Sequence, residues 1–174
     1  MSTAISADTL LRSGDDAPEA ADVRLQLRRD HEASLEELEA LRHESDADRC
    51  HFMLRRLRRA WVIHALAEET VVYRALEGAE AGIESKTRAD ERFVEHELVE
   101  SLFEKLSRAR PGTLEWRARL NVARELIARH IEKEHEDMFE QLGRRFESGQ
   151  LREMGRRFEL AREKLTFLED AKAA

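Results

Sequence analysis

Residues that break helices are scarce in this chain, and so are the aromatic residues that enrich β-sheet cores. Its 174 residues include 2 Pro and 7 Gly, and aromatic residues make up 6% of the total. With so few breakers and many Glu, Arg, Ala and Leu, the composition favours a mostly helical protein. The length is sufficient for one domain with a proper core.

Cysteine is nearly absent, and so is any long apolar run. A single cysteine, Cys50, excludes a disulfide within the chain and indicates a reducing compartment. Residues 1–20 lack the basic start and the apolar stretch of a secretory signal. No segment approaches the roughly 20 apolar residues that cross a membrane. We therefore expect a cytoplasmic protein with no membrane partner.

An excess of positive charge is also missing. The 30 Lys and Arg residues face 37 Asp and Glu residues, which gives a formal net charge of -7. The one basic run, Arg55-Arg56 followed by Arg58-Arg59, is spread around a helix by its spacing. Nucleic-acid binding normally needs a clustered basic face, so we expect no nucleic-acid partner.

Apolar residues recur every three or four positions from Val23 onward, which is the period of a helix. Breaks are predicted at Ser45–Asp48, Glu77–Gly82, Pro111–Gly112 and Gly143–Gly149. They divide the chain into four long helices and a fifth amphipathic helix. The predicted helices run from Val23 to Ser45, Asp48 to Leu76, Ser85 to Arg108, Thr113 to about Leu142, and Leu151 to Leu165.

Short connections make consecutive helices antiparallel neighbours. The predicted fold class is therefore all-α, an up-down-up-down four-helix bundle with an additional C-terminal helix. We expect a flexible N-terminal arm at 1–20, the bundle at 21–145, and a C-terminal helix packed on it at 146–174. The last helix could also serve a dimer, so both a monomer and a homodimer remain open.

The chemistry of the chain is concentrated in a signal that occurs twice. Each half has a lone His, followed 33 or 34 residues later by His-x-x-x-Glu. All of these residues lie on helix faces that are otherwise apolar, where a carboxylate is costly unless it is paired or binds a metal. The candidate metal ligands are His31, His64, Glu68, His96, His130 and Glu134.

Residues four apart in a helix share a face and are separated by about 6 Å along the axis. Each His-x-x-x-Glu can thus offer two ligands to one site, and each lone His adds one. Four imidazoles and two carboxylates suit iron, although Mn and Zn also accept such a set. If both carboxylates bridge two ions, about two coordination positions stay open for a small ligand.

This order of ligands differs from the ferritin-type pattern of Glu-x-x-His with lone Glu residues. It resembles the hemerythrin HHE cation-binding family, over about residues 23–145. The resemblance implies a non-haem di-iron centre, two iron ions with an oxo or hydroxo bridge, in a four-helix bundle. It also implies that the six residues above are the ligands, and that the fifth helix is a C-terminal extension.

One position departs from the oxygen carriers of that family. They have a second His four residues after the third-helix His, and this chain has Glu100 there. Glu100 has three interpretations: a seventh ligand, a hydrogen-bond partner of a ligand, or a solvated side chain. Of the remaining histidines, His43 and His51 are too far along their helices to reach the site, and His135 lies beside it at most.

Three functions from different classes follow. The first is a protein that binds or senses O2 or NO at the iron pair. The second is a di-iron enzyme acting on peroxide or nitric oxide, catalase-like or NO-reducing, so enzymatic activity is left open. The third is a structural helical module whose buried polar residues only bond one another. Tyr73 and Phe139, nine residues after each paired His, are assigned to the core in preference to a redox role.

Overall fold

The computed structural model describes residues 21–77 and 83–173. Within these ranges it describes the side chains of all residues except 83–89, 172 and 173. All regular structure in these ranges is helical. The predicted flexible arm at 1–20 lies outside the described residues. None of the helices in the described ranges is long and apolar enough to cross a membrane.

The helices agree closely with the predicted periods. Two π-helical segments, Glu69–Tyr73 and Glu134–Met138, each continue a long helix without a break and were not predicted. The α-helices are α1 Val23–His43, α2 Ala47–Glu68, α3 Arg74–Leu76, α4 Ile83–Arg108, α5 Leu114–Lys133, α6 Phe139–Arg145 and α7 Ser148–Ala173.

Side-chain caps account for where several helices begin. Asp22 accepts a hydrogen bond from the Arg24 amide at 2.9 Å and begins α1. Asp46 and Thr113 cap α2 and α5 in the same way, which satisfies amides that have no partner within the helix. The predicted break at Gly143–Gly149 is confirmed but is shorter than predicted, because α6 continues to Arg145 and α7 begins at Ser148.

Four helices form a closed ring around the core. Helix α1 packs against α2 and α5, and α4 packs against the same two helices. Helix α7 lies on α1, α2 and the first π segment. The predicted all-helical fold is therefore confirmed, and the C-terminal helix packs on the bundle.

The apolar core has two parts, with the candidate metal ligands between them. Trp61 belongs to the first part, and its ring lies 5.5–6.1 Å from the rings of three candidate histidines. Tyr73 and Phe158 belong to the second part and contact His96 and His64 from the other side. The six polar residues thus occupy a dry layer inside the bundle.

The close approach of α7 to the start of α1 requires Gly155. A Cβ atom there would lie 2.0 Å from the Ala21 carbonyl oxygen, so backbone would have to move. We predict that Gly155→Ala lowers the free energy of unfolding by about 1–3 kcal/mol, as overpacking does. Urea denaturation of the metal-free protein measures this.

Gly149 offers a matched control in the same helix, since a Cβ atom there meets nothing within 4 Å. Gly149→Ala should leave the free energy of unfolding unchanged or raise it by up to about 1 kcal/mol, because Ala favours helix. Equal stability of the two variants would contradict the close packing of α7 on α1.

Candidate metal centre

The structure brings all six sequence-predicted residues together. Each is buried, with an exposed fraction between 0% and 4%. They fall into two groups that share Glu68, and within each group the potential ligand atoms lie within 4.8 Å of one another. One group contains Glu68, His96, His130 and Glu134, and the other contains His31, His64 and Glu68.

The four imidazoles form two pairs whose Nε2 atoms face each other. The Nε2 atoms of His31 and His64 are 3.2 Å apart. Those of His96 and His130 are 3.1 Å apart. Each pair joins two neighbouring helices of the ring.

The two carboxylates connect one imidazole pair to the other. Glu134 places Oε2 3.3 Å from His31 Nε2 and Oε1 3.3 Å from His130 Nε2. Glu68 Oε2 lies 3.7 Å from the Nε2 atoms of both His64 and His96. Each carboxylate therefore contacts one imidazole of each pair.

The outer nitrogen, Nδ1, of every imidazole also has a partner. These partners are Asp30 for His64 at 3.2 Å, Glu69 for His96 at 2.8 Å, Glu95 for His130 at 2.9 Å and His135 Nε2 for His31 at 3.0 Å. Such contacts orient metal-binding imidazoles and fix which nitrogen carries the proton.

This arrangement fits a bound cation. A carboxylate only accepts, so the Nδ1 atoms of His96 and His130 donate hydrogen bonds to Glu69 and Glu95. The Nε2 atoms of the two rings face each other across 3.1 Å and are the nitrogen atoms that remain for a cation. In addition, Glu68 Oε1 and Glu134 Oε2 are buried without a hydrogen-bond partner. A cation between these atoms would satisfy all of them.

The protonation states agree with that interpretation. Burial lowers the pKa of His64 to about 4 and also lowers the pKa of His96, so both rings are neutral at pH 7. Burial and the nearby Glu134 charge raise the pKa of Glu68 well above its usual range. For Glu134, burial is outweighed by the His130 and His31 contacts, and its pKa is lowered. Folding thus shifts the pKa values of the two carboxyl groups in opposite directions.

Tyr73 belongs to this site and not only to the core, contrary to the sequence-based assignment. Its hydroxyl donates a hydrogen bond to Glu134 Oε1 at 2.6 Å and lies 3.1 Å from Glu68 Oε2. In an α-helix, five residues turn the side chain by about 140°, which would separate Tyr73 from Glu68. The π segment has i to i+5 periodicity and brings them to one face.

Arg92 is a second residue that the sequence analysis missed. Its side chain is 7% exposed, and its Nε lies 4.0 Å from Glu134 Oε1. The guanidinium carbon is 5.8 Å from the centre of the Tyr73 ring. Arg92 precedes His96 by four residues, so helical spacing alone could have placed it on the site face.

Glu100, the doubtful position, has a different partner. Its Oε1 accepts hydrogen bonds from the Arg58 guanidinium, including one from Nε at 2.8 Å. Glu100 is in neither group of potential ligands, and its side chain is 34% exposed. The Glu100 side chain is thus only partly solvated, because Oε1 pairs with Arg58 and Oε2 is buried without a hydrogen-bond partner. His43 likewise lies apart from the site and pairs with Glu39.

Comparison with known proteins gives one match. The model of the hemerythrin HHE cation binding domain matches residues 24–142, which contain all six candidate ligands. No curated protein and no solved structure matches the chain.

Glu95 provides a test of the outer hydrogen bonds. Its contacts with His130 and Lys133 outweigh burial and lower its pKa to about 2. A carboxyl group whose pKa is lowered in the folded state stabilises the protein at pH values above its ordinary pKa of 4.5. That stabilisation is lost as the pH falls toward 2. We predict that Glu95→Gln destabilises the metal-free protein at pH 7 and that the difference from wild type shrinks below pH 4.5.

Urea denaturation with a chelator present, at pH 7 and at pH 4, measures this change. Glu97→Gln is the control, since Glu97 lies two residues away on the same helix and makes none of these contacts. If Glu95→Gln lowers the free energy of unfolding by the same amount at both pH values, the predicted dependence on the Glu95 pKa is contradicted.

Proposed function

Because the chain belongs to the hemerythrin HHE cation-binding family, we propose that it binds two iron ions and uses them to bind or sense O2 or NO. The observation that carries this proposal is the pair of facing imidazole couples, each contacted by both carboxylates. The ligands in this proposal are His31, His64, Glu68, His96, His130 and Glu134.

Two ions account for the donor atoms better than one. The Nε2 atoms form two separate couples, and each couple offers one ion two nitrogen ligands. Glu68 and Glu134 each contact both couples, which is the position of a bridging carboxylate. Nitrogen and carboxylate donors in this proportion suit iron. When bound, an iron pair supplies reversible ligand binding and electron-transfer chemistry.

The surrounding side chains set the conditions for a small ligand. Trp61 and Phe158 cover the imidazoles from two sides and keep bulk water away. Tyr73 donates a hydrogen bond to Glu134 and fixes the orientation of that carboxylate. Arg92 adds a positive charge beside it. A diatomic molecule suits so enclosed a site better than a large substrate does.

The alternative is a di-iron enzyme that acts on peroxide or nitric oxide, catalase-like or NO-reducing. The observation in its favour is the Tyr73 hydroxyl, a proton donor held within hydrogen-bond distance of both carboxylates. Peroxide disproportionation transfers protons from one peroxide molecule to another, and NO reduction consumes protons, so both reactions need a nearby proton donor more than ligand binding does. Sustained turnover that falls in Tyr73→Phe, with both ions retained, would favour the enzyme.

The arrangement of the chain belongs to the same proposal. We infer that α1, α2, α4 and α5 run up-down-up-down, since three residues connect α1 to α2 and five connect α4 to α5. Residues 21–145 then form the metal-binding bundle and 146–174 its C-terminal extension. We further propose a cytoplasmic protein that is a monomer or a homodimer.

The first prediction from the proposed function concerns the metal content. Protein purified without chelator and loaded with Fe(II) should hold two ions per chain by elemental analysis. The reduced, loaded protein should develop a new charge-transfer band on mixing with O2 or NO. Two bound ions with an unchanged spectrum would contradict ligand binding, and fewer than one tightly held ion would support the structural module.

The second prediction concerns the bridging carboxylate. Glu134→Gln should lose at least one of the two ions, because it removes the charge that contacts both imidazole couples. It should also reduce the rise in melting temperature that metal produces, since binding to the folded state stabilises it. Measuring the rise against chelated protein separates this effect from the relief of a buried charge.

Glu100→Gln is the matched control for Glu134→Gln. The same substitution is then made in a carboxylate that pairs with Arg58 and lies in neither ligand group. This variant should keep both ions and the full metal-dependent rise in melting temperature. Equal metal content in the two variants would count against Glu134 as a ligand.

A further inference from the structure

We propose that the two metal positions bind with unequal strength, the first ion at the couple His96 and His130 and the second at the couple His31 and His64. This inference rests on the proposed two-ion site. It is carried by an asymmetry in the side chains that contact the outer nitrogen of each imidazole.

The outer contacts otherwise follow an approximate two-fold pattern. The residue before each lone His contacts the paired His of the neighbouring helix, Asp30 with His64 and Glu95 with His130. The residue after each bridging Glu contacts the lone His of another helix. In one half that residue is Glu69, which contacts His96.

The pattern breaks at the corresponding residue of the other half. His135 stands where Glu69 would be expected, and its Nε2 lies 3.0 Å from His31 Nδ1. The couple His96 and His130 is thus supported by two carboxylates, at 2.8 Å and 2.9 Å. The other couple is supported by an imidazole and by one carboxylate at 3.2 Å.

A carboxylate partner strengthens an imidazole ligand. It accepts the Nδ1 hydrogen, increases the electron density on Nε2, and adds a negative charge near the cation. The imidazole of His135 is neutral or positive at ordinary pH, so it offers no such charge in either protonation state. The ion bound by His31 and His64 therefore lacks one negative charge that the other ion has.

Nearby cations do not remove this difference. Lys133 Nζ lies 2.6 Å from Glu95 Oε1, and Arg162 Nη1 lies 3.3 Å from Asp30 Oδ1. Each half thus has one carboxylate that is paired with one cation. Arg92 Nε lies 4.0 Å from Glu134 Oε1, and both couples contact Glu134, so this charge acts on a carboxylate that the two positions share. What remains is Glu69 on one side against His135 on the other.

Loss of a hydrogen-bond partner of a metal-binding imidazole typically lowers metal affinity by about 10–100-fold. We therefore expect the association constants of the two ions to differ by about that factor. At limiting metal, the chain would then hold one ion, and the His31 and His64 position would fill last. A half-loaded protein would be a defined species and not a mixture of both positions.

Anaerobic titration of the metal-free full chain with Co(II), in the presence of a competing chelator, measures both constants through the visible bands of Co(II). Wild type should bind in two steps. His135→Glu should raise the association constant of the second ion about 10–100-fold, so that the two steps merge. Glu69→Gln, which preserves side-chain shape, should lower the association constant of the first ion, and the steps should again merge.

Two ligand variants assign the steps to positions. His64→Gln should remove the weaker step and leave the stronger one, and His130→Gln should do the reverse. His51→Glu is the control for added charge. It makes the same substitution as His135→Glu but lies 13 residues before His64, roughly 20 Å along the helix, and should leave both constants unchanged.

Two bound ions with equal constants in wild type would overturn the inference while leaving the two-ion site intact. So would two steps that neither His135→Glu nor Glu69→Gln shifts. Binding of a single ion at saturating Co(II) would instead contradict the proposed site, and this inference with it. Circular dichroism of each metal-free variant confirms that it has folded before its constants are compared.

Discussion

The structure depends on a layer of potential metal ligands that is buried in an apolar core. Six side chains that are nearly inaccessible to solvent meet between two apolar clusters, and the Nε2 atoms of each imidazole pair face one another. In the metal-free chain, the contacts of Tyr73 and Arg92 offset only part of the cost of burying these groups, since Glu68 Oε1 and Glu134 Oε2 have no hydrogen-bond partner. A cation bound in this layer would offset the rest.

The two π segments explain how long helices can serve such a layer. One begins directly after Glu68 and the other begins at Glu134, and an inserted residue changes the rotation of everything that follows. On one helix this brings Tyr73 next to Glu68. On the other it brings His135 against His31 while Phe139 remains in the core. Local distortion of the helices thus positions the proton donor, while the asymmetry between the halves comes from residue type, Glu69 in one half and His135 in the other.

Much of the fold and the inner ligand set could be predicted from sequence because both follow local spacing. A three-to-four residue period identifies the helices, and a His with a Glu four residues later must share a helix face. All six inner residues were identified in this way, and the structure brings them together. Their role as ligands stays a prediction.

The outer contacts and the π segments could not be predicted, because they depend on how helices meet. Asp30 and Glu95 precede ligands in sequence but contact imidazoles on other helices. Nothing local to Glu69 or His135 indicates which ring either one reaches. Glu100 shows the same limit, since it shares the stripe of His96 by spacing, but its ion pair with Arg58 on another helix could not be predicted.

The outer hydrogen bonds also explain why metal binding and helix packing should be inseparable in this protein. Each contact of the four-helix ring contains one of them. Asp30 with His64 joins α1 to α2, and Glu95 with His130 joins α4 to α5. The remaining two contacts of the ring, between α2 and α4 and between α5 and α1, are joined through the π segments.

There, Glu69 bonds His96 and His135 bonds His31. An ion bound to an imidazole would therefore also align the residue that holds its outer nitrogen, and through it the neighbouring helix. Of the four, only the contact between His135 and His31 lacks a carboxylate. Under the proposed function, the packing of α1 on α5 would thus depend most on an ion held by His31 and His64.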